Sequence, residues 1–280
     1  MKLASFDIFD TTLIRRCGKP EAVFHILAER LFPNDKDLRE AFVVWRKSTK
    51  GNTLEDVYDK IDSAFLTFAR KNKEDMMKAE EETEKDVLIA NPSVCKLIDQ
   101  RRKEGYNIAF ISDMYLNSQF LRKVLQRNGC CRQEDAIYVS CEHNARKDTG
   151  LLYKVVRNEL HPTEWIHYGD NIRSDIKMAK SKGIRAIHIN TCHNNAERAY
   201  SQVSTSMTEL ARQYRLRHKD NEFASFAADF VVPAYLPYVI HVLREARGMG
   251  IRKLYFLSRD SYILMKAAQA LTEEAEGLEL

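Results

Sequence analysis

Residues 2–12 read KLASFDIFDTT, and this stretch decides the expected fold. Leu3 to Phe6 is a short apolar run that ends abruptly in Asp7. An apolar run of this length, bounded by a polar residue, is typical of a buried parallel strand whose C-terminal end carries polar side chains. The sequence therefore predicts a strand here with a carboxylate at its tip.

Three later segments repeat this pattern. Asn107–Ile111 precedes Ser112, Trp165–Tyr168 runs into Gly169-Asp170, and Arg185–Ile189 has the composition of a further strand. Strand and helix in alternation predict an α/β protein with a Rossmann-like, doubly wound parallel sheet and a site at the strand C-termini. The intervening helical patterns cover residues 94–103, 118–128, 150–159 and 174–182.

A long stretch between the first two strands, residues 19–90, shows no strand pattern. Its apolar residues recur at spacings of three and four, as in Val23, Leu27 and Leu31, which is typical of amphipathic helices. A set of helices this long does not fit inside a sheet crossover. We therefore expect a helical cap at 19–90, inserted into an α/β core. That core is assigned to residues 1–18 and 91–193.

The C-terminal third has a different organisation. Residues 194–222 are polar and are expected to be a connector, and 223–280 are expected to begin a second α/β unit. Within that unit Arg252–Leu257 has the composition of a strand, followed by a helix to about Ala275. Because one strand and one helix cannot close a core, we expect this unit to be truncated.

Composition limits the function classes. The chain has 44 Lys and Arg against 40 Asp and Glu, a net charge of +4, which is too weak a field to indicate a nucleic-acid partner. The charge-rich run Lys71–Asp86 is expected to be a solvated helix face. None of the six cysteines forms a C-x-x-C pair, so they are expected to be reduced thiols.

The sequence predicts neither a secretory signal nor a membrane-spanning segment. An acidic residue, Asp7, interrupts any secretory apolar region at the N-terminus, so a cytoplasmic location is expected. Phe223–Leu243 is long enough to span a membrane. Asp229, Pro233, Pro237 and His241 argue against a span and favour a buried or half-buried soluble helix pair, because an isolated carboxylate at bilayer depth costs roughly 2.5 kcal/mol or more.

The candidate catalytic and binding residues follow the predicted strands or lie in the loops between elements. The inventory is a carboxylate, a hydroxyl, a fixed cation and a second pair of carboxylates: Asp7, Ser112, Lys147, Asp170 and Asp175. A carboxylate can attack phosphorus while a hydroxyl and an ammonium hold the phosphoryl oxygens and Mg²⁺ bridges the acids and the phosphate. This set therefore favours phosphoryl transfer.

The order and spacing of these motifs resemble the haloacid dehalogenase (HAD) superfamily over about residues 1–192. That superfamily combines F-D-x-x-x-T at the first strand, a Ser at the second, a Lys before a helix and a G-D-x-x-x-x-D motif, and it carries a comparable cap. The resemblance implies Asp7 as the nucleophile that forms an aspartyl-phosphate. Thr11 would support its loop and, with Ser112 and Lys147, belong to the substrate-binding set, and Asp175 would be an orienting catalytic acid.

The resemblance also implies a Mg²⁺ cofactor. Its ligands would be Asp7, Asp170 and the backbone carbonyl of Phe9, which does not depend on the side chain.

Phe9 departs from the pattern. Phosphatases of the superfamily place a second Asp there as general acid and base, which is typically worth 10²–10⁴-fold in rate, about 3 to 5 kcal/mol. Dehalogenases of the superfamily carry an aromatic residue there but need no metal, so Gly169-Asp170 with Asp175 points back to Mg²⁺ and phosphate. Asp10, one residue further along, is a candidate substitute for the acid.

The whole chain resembles predicted bacterial hydrolases of this superfamily that are associated with polysaccharide biosynthesis and glycosyltransferases. The expected function is a Mg²⁺-dependent phosphohydrolase acting on a small phosphorylated metabolite, with a sugar phosphate as one candidate. The alternative is a catalytically weakened module that binds a phosphorylated ligand or a partner glycosyltransferase.

Overall fold

In a computed structural model, the apolar run at residues 3–6 forms the central strand of a parallel sheet. The structure describes residues 1–190, 197, 205–218 and 221–273. The chain divides into two compact units, 1–193 and 194–280. In the described residues the strands are β1 (Lys2–Phe6), β2 (Leu13–Arg15), β3 (Leu88–Ala90), β4 (Asn107–Ser112), β5 (Ala136–Val139), β6 (Glu164–Gly169) and β7 (Arg185–His188).

Five of these strands make the main sheet, in the order β5-β4-β1-β6-β7, and every pairing is parallel. The α/β class predicted from the sequence is confirmed. Because β1 lies in the middle, its C-terminal tip is flanked by the tips of β4 and β6. The expected strands at 107–111, 165–168 and 185–189 are each present within one residue at either end.

Helices of the core connect these strands. The predicted 174–182 helix begins as a π-helix, Ile172–Met178, and ends as a short α-helix, Ala179–Ser181. The other core helices are Pro92–Lys103, Ser118–Arg127, Ser140–His143 and Leu151–Leu160.

Two features of the sheet region were not predicted. β5 has only four residues, too few for its alternation to stand out from a loop. β2 and β3 form a two-stranded antiparallel ribbon in which Ile14 pairs with Ile89. This ribbon joins the ends of the inserted segment, so both chain crossings between core and cap are held by backbone hydrogen bonds.

The inserted segment is helical, as expected. Its apolar faces converge on the core, with Leu27, Phe42, Val57 and Tyr58 almost fully buried. Asp35, Thr53, Asp62 and Asn72 cap helix N-termini through side-chain oxygens. The cap helices are Ala22–Leu31, Lys36–Ser48, Leu54–Tyr58, Ser63–Ala69 and Lys73–Val87.

The prediction of a solvated face for the run Lys71–Asp86 is wrong for two of its acidic residues, whereas its other charged side chains are exposed or partly exposed. Glu80 and Glu84 are buried at 0% and 1% exposure. Arg46 binds Glu80 through two hydrogen bonds of 2.8 and 2.6 Å, and Arg15 binds Glu84 through two of 3.1 Å. Charge composition alone could not distinguish this arrangement from a wet surface, because the arginines come from distant parts of the chain.

Glu80 also joins the cap to the core. The hydroxyls of Tyr58 in the cap and Tyr115 in the core donate to its two oxygens, each at 2.9 Å. With Arg46, four donor atoms satisfy this one buried carboxylate.

The second unit departs from the sequence expectation. Part of the predicted connector is a helix, Thr205–Arg217, and Arg215 on it forms an ion pair of 2.7 Å with buried Asp229. Arg252–Leu257 is not a strand: no ladder partner exists for it among the described residues, and a strand is defined by one. A final helix, Tyr262–Glu273, follows.

The expected helix pair at 223–243 is instead one continuous helix. It runs over Glu222–Phe226, a π-helical segment Ala227–Val231, and Val232–Gly248. Of the helices in the described part of the chain, Glu222–Gly248 is the one whose length and composition would suffice to cross a membrane, with a hydropathy of 1.5 and 17% of its most apolar window buried.

The cysteines at 17, 95, 130, 131 and 141 are free thiols, as predicted, whereas Cys192 lies outside the described residues.

The buried pair between cap helices gives a stability prediction. Glu80→Leu leaves the Arg46 guanidinium buried without its carboxylate, which should lower the free energy of unfolding by about 3–5 kcal/mol. Both tryptophans, Trp45 and Trp165, lie in the first unit, so urea unfolding followed by tryptophan fluorescence reports on that unit alone.

Glu40→Ala is the matched control, because its pair with Lys36 is exposed at 68% and 77% of the side chains. We expect no measurable change for it. Equal losses in the two variants would contradict the assigned role of the buried pair.

Candidate active site

The loop that follows β1 is held by short hydrogen bonds. The Asp7 amide donates to the carbonyl of Tyr168 on β6 at 2.8 Å, so the pairing continues through the residue at the strand tip. The Thr12 hydroxyl donates to the Asp7 carbonyl at 2.7 Å, and the Leu13 amide donates to the Ile8 carbonyl at 2.7 Å. The loop therefore turns back immediately and fixes the position of Asp7.

One cavity of about 300 Å³ opens at this edge of the sheet. Its lining includes six of the seven residues that the sequence singled out: Asp7, Phe9, Ser112, Lys147, Asp170 and Asp175. The seventh, Thr11, lies fully buried behind the carboxylates, with its hydroxyl 3.5 Å from Asp7 Oδ2 and 3.3 Å from Asp170 Oδ1. Residues up to 168 positions apart in sequence thus meet because parallel strands end at one edge.

Lys147 lies between two of these carboxylates. Its ammonium donates to Asp7 Oδ1 and, at 2.6 Å, to Asp175 Oδ1, and all three side chains are nearly inaccessible to solvent. Burial acts to lower the pKa of Lys147, but Asp7 and Asp175 outweigh it and raise that pKa well above its ordinary value. The ammonium is therefore permanently charged.

The two carboxyls respond differently to their surroundings. Burial raises the pKa of Asp7, and the nearby charges of Asp175 and Asp170 add to this although Lys147 opposes it. Burial also acts to raise the pKa of Asp175, but Lys147 and a hydrogen bond from His167 prevail and lower it. The same cation thus lowers the pKa of Asp175 but does not overcome the burial that raises the pKa of Asp7.

Backbone groups complete the positioning. Asp113 Oδ1 accepts from the Lys147 amide at 2.8 Å, and Asp175 Oδ2 accepts from the Asn171 amide at 3.0 Å. Gly169 leaves room for this second carboxylate, since a Cβ there would lie 2.4 Å from Asp175 Cγ. The glycine of the G-D motif is therefore required by close packing.

A set of polar residues beneath the site was not predicted from the sequence. Trp165, Ser5 and His167 are linked by hydrogen bonds inside the sheet, and His167 contacts Asp175. Burial lowers the pKa of His167. These residues stand inside apolar strand patterns, so only their pairing across β1 and β6 distinguishes them from core residues.

Phe9 is oriented by Arg15, which also binds the cap. The Arg15 guanidinium lies 4.4 Å from the centre of its ring, and Arg15 is itself held by Glu84 of the last cap helix. Asp10, with a left-handed φ of 55°, also lines the cavity. The aromatic residue at this position therefore links the loop of Asp7 to the cap.

The carboxylates of the site form a cluster that could hold a cation. Oxygens of Asp7, Asp170 and Asp175 lie within 4.8 Å of one another. Carboxylate oxygens are the ligands that hard divalent cations such as Mg²⁺ prefer.

Comparisons with known proteins give structural matches only. No family model and no curated protein matches the chain in sequence. A HAD phosphatase from Thermococcus onnurineus is 22% identical, with a TM-score of 0.48, covering 70% of this chain and 89% of that one.

Two further solved structures are similar. A HAD family enzyme from Bacteroides thetaiotaomicron, in complex with magnesium and inorganic phosphate, is 14% identical with a TM-score of 0.48, covering 70% of this chain and 97% of that one. A 2-haloacid dehalogenase from Pseudomonas syringae pv. Tomato DC3000 is 16% identical with a TM-score of 0.46, covering 69% and 88%. A phosphatase and a dehalogenase both occur among these matches.

The buried triad of charges gives a pH-dependent prediction. Lys147→Met leaves Asp7 and Asp175 adjacent and uncompensated, which should destabilise the first unit by about 3–5 kcal/mol near neutral pH. Without the ammonium both carboxyls have folded-state pKa values above their unfolded values. The deficit should therefore shrink as the pH falls and the carboxyls take up protons.

Thermal unfolding in EDTA at about pH 8 and about pH 5, compared with wild type, measures this. Lys154→Met, at an exposed position of the neighbouring helix, is the control. A deficit that is the same at both pH values would show that lost packing, not charge, is responsible.

Proposed function

We propose that this chain is a Mg²⁺-dependent phosphohydrolase of the HAD type, acting on a small phosphate ester through an aspartyl-phosphate. The observation that carries the proposal is the ammonium of Lys147 held between Asp7 and Asp175 in a cavity that Asp170 and Ser112 also line. A carboxylate at a strand tip, with fixed positive charge beside it, suits attack on phosphorus more than any reaction of a neutral substrate.

The first step is a displacement at phosphorus. An Asp7 oxygen forms a bond to phosphorus, and the bond between phosphorus and the ester oxygen breaks, so that the alkoxide or phenolate leaves with its electron pair. Lys147 neutralises charge on the phosphoryl oxygens, and the Ser112 hydroxyl donates a hydrogen bond to one of them. Water then attacks phosphorus, the bond between phosphorus and the Asp7 oxygen breaks, and a proton of the water passes to solvent, so inorganic phosphate is released and the Asp7 carboxylate is regenerated.

The residues present fit a magnesium ion. Asp7, Asp170 and the Phe9 carbonyl would hold it, and all three offer the oxygen ligands that Mg²⁺ prefers. When bound, the ion supplies Lewis-acid stabilisation of the phosphoryl charge and keeps Asp7 ionised. Asp175 is assigned to holding Lys147 rather than to the metal, because its Oδ1 accepts from Lys147 and its Oδ2 from the Asn171 amide.

Leaving-group chemistry follows from Phe9. A phenyl ring cannot transfer a proton, and Arg15 holds this ring on the side of the cap. The enzyme should therefore favour esters whose leaving group is stable as an anion. Asp10 lines the same cavity and is the candidate for residual proton transfer.

A second candidate function rests on the same residue. With Phe9 in place of the acid, the site would still bind a phosphorylated ligand after losing turnover. A cytoplasmic setting, a sugar-phosphate ligand and a glycosyltransferase partner remain proposals within either function.

Activity should depend on the leaving group. With Mg²⁺, we expect turnover of 4-nitrophenyl phosphate and at least about 10²-fold less of an alkyl phosphate, the lower bound of what general acid catalysis supplies. Asp7→Asn should abolish both reactions. Released phosphate is the readout, and Asp99→Asn, with a side chain 60% exposed, is the control.

If wild type binds phosphate or beryllofluoride but hydrolyses neither ester, the binding function replaces the catalytic one. If both esters react equally fast, another residue supplies the proton and Asp10→Asn should reduce the alkyl phosphate rate selectively.

Metal binding gives an independent measurement. Asp170→Asn should reduce Mg²⁺ affinity by at least about tenfold in calorimetry, since one anionic ligand is lost. Asp148→Asn, at the rim of the same cavity, should bind Mg²⁺ like wild type. Unchanged affinity in Asp170→Asn would remove that residue from the ligand set.

A further inference from the structure

A chain of hydrogen bonds lies beneath the candidate active site, inside the sheet. Trp165 Nε1 is 2.7 Å from Ser5 Oγ, Ser5 Oγ is 2.8 Å from His167 Nδ1, and His167 Nε2 is 3.2 Å from Asp175 Oδ1. Ser5, His167 and Asp175 are at 0% exposure and Trp165 is at 6%. Such a polar chain in a buried sheet is costly unless each member is satisfied.

The donor and acceptor roles along this chain can be derived. The indole N–H of Trp165 can only donate, so Ser5 Oγ accepts from it. The hydrogen bonds of Ser5 Oγ within the described residues are those to Trp165 and His167, so its own proton is directed at His167 Nδ1. Nδ1 is then an acceptor, and the ring is neutral with its proton on Nε2.

The other end of the chain requires the same tautomer. Asp175 is a carboxylate that already accepts from Lys147, and a carboxylate can only accept hydrogen bonds. His167 Nε2 must therefore carry the proton that points to it. Two independent constraints, one from Trp165 and one from Asp175, assign the same state to the imidazole.

We propose that His167, locked by Ser5 and Trp165 in its neutral Nε2–H tautomer, is a positioning residue that fixes Asp175 so that Lys147 is held against the nucleophile Asp7. A neutral donor suits this role better than a cation. It orients Asp175 Oδ1 without cancelling the negative charge that holds Lys147, whereas an imidazolium would compete with the ammonium. This inference rests on the proposed phosphohydrolase function for its kinetic consequence, but its structural content does not.

The kinetic test uses three variants of His167 in the full chain. His167→Gln keeps a donor near the Nε2 position, His167→Asn keeps a polar group near Nδ1 only, and His167→Leu keeps neither. We expect kcat on 4-nitrophenyl phosphate to fall by about 10- to 100-fold in His167→Leu and His167→Asn, which is the range for groups that orient the residues of a site. His167→Gln should retain most of the wild-type kcat. KM should change less than kcat, because His167 does not line the cavity.

A residue that only fills space would give a different pattern. Gln and Asn would then be equally impaired, and turnover would follow the loss of thermal stability. That result, or a Leu variant within about threefold of wild type, would overturn the proposal.

The tautomer has its own measurement, which does not depend on turnover. Long-range ¹H–¹⁵N correlation spectra of the imidazoles near pH 7 should show His167 with a protonated Nε2 and an acceptor Nδ1, with exposed His161 as the reference ring. An Nδ1–H tautomer or an imidazolium would overturn the inference. If wild type hydrolyses no phosphate ester, the proposed function fails, yet this spectrum still decides whether His167 donates to Asp175.

Discussion

The ammonium of Lys147, enclosed between the buried carboxylates of Asp7 and Asp175, is the interaction on which the first unit depends. Two carboxylates cannot stay ionised side by side in a dry site unless a cation lies against both. The surrounding elements position these three side chains. β4 and β6 flank β1 at the tip, the Lys147 loop is tied to Asp113, and Gly169 leaves the space that Asp175 occupies.

The same constraint recurs where the cap meets the core. Glu84 and Glu80 are buried, as Asp7 and Asp175 are, and each is matched by a bidentate guanidinium, from Arg15 and Arg46. Arg15 belongs to the short ribbon that follows the Asp7 loop, and its guanidinium also lies over the ring of Phe9. The attachment of the cap and the position of Phe9 are therefore parts of one set of contacts.

The second unit satisfies its buried charges in a similar way. Arg215 on one helix joins Asp229 on the next, so the carboxylate that argues against a membrane span is an ion-paired group in the described part of that unit. Several large apolar side chains there remain exposed, among them Phe223 and Tyr255 at 87% and 88%. The described part of this unit therefore combines buried ion pairs with exposed apolar side chains.

The sequence by itself determined the sheet and the position of its site. Apolar runs ending in Asp7, Ser112 and Gly169 are local patterns, and the rule that parallel strands end at one edge is sufficient to bring these residues together. Local periodicity likewise identified the cap helices. It could not identify β5, whose four residues carry too short a pattern.

Only the tertiary structure decided which charged and polar residues are buried. The sequence around Glu80 and Glu84 is typical of a solvent-exposed helix face, and their burial depends on Arg46 and Arg15, which bind them from distant segments. His167 is one more residue of an apolar strand until the register of β1 and β6 sets it opposite Ser5 and beneath Asp175. Burial of a polar group depends on its partner, and when the partner is far away in sequence no local pattern records the pair.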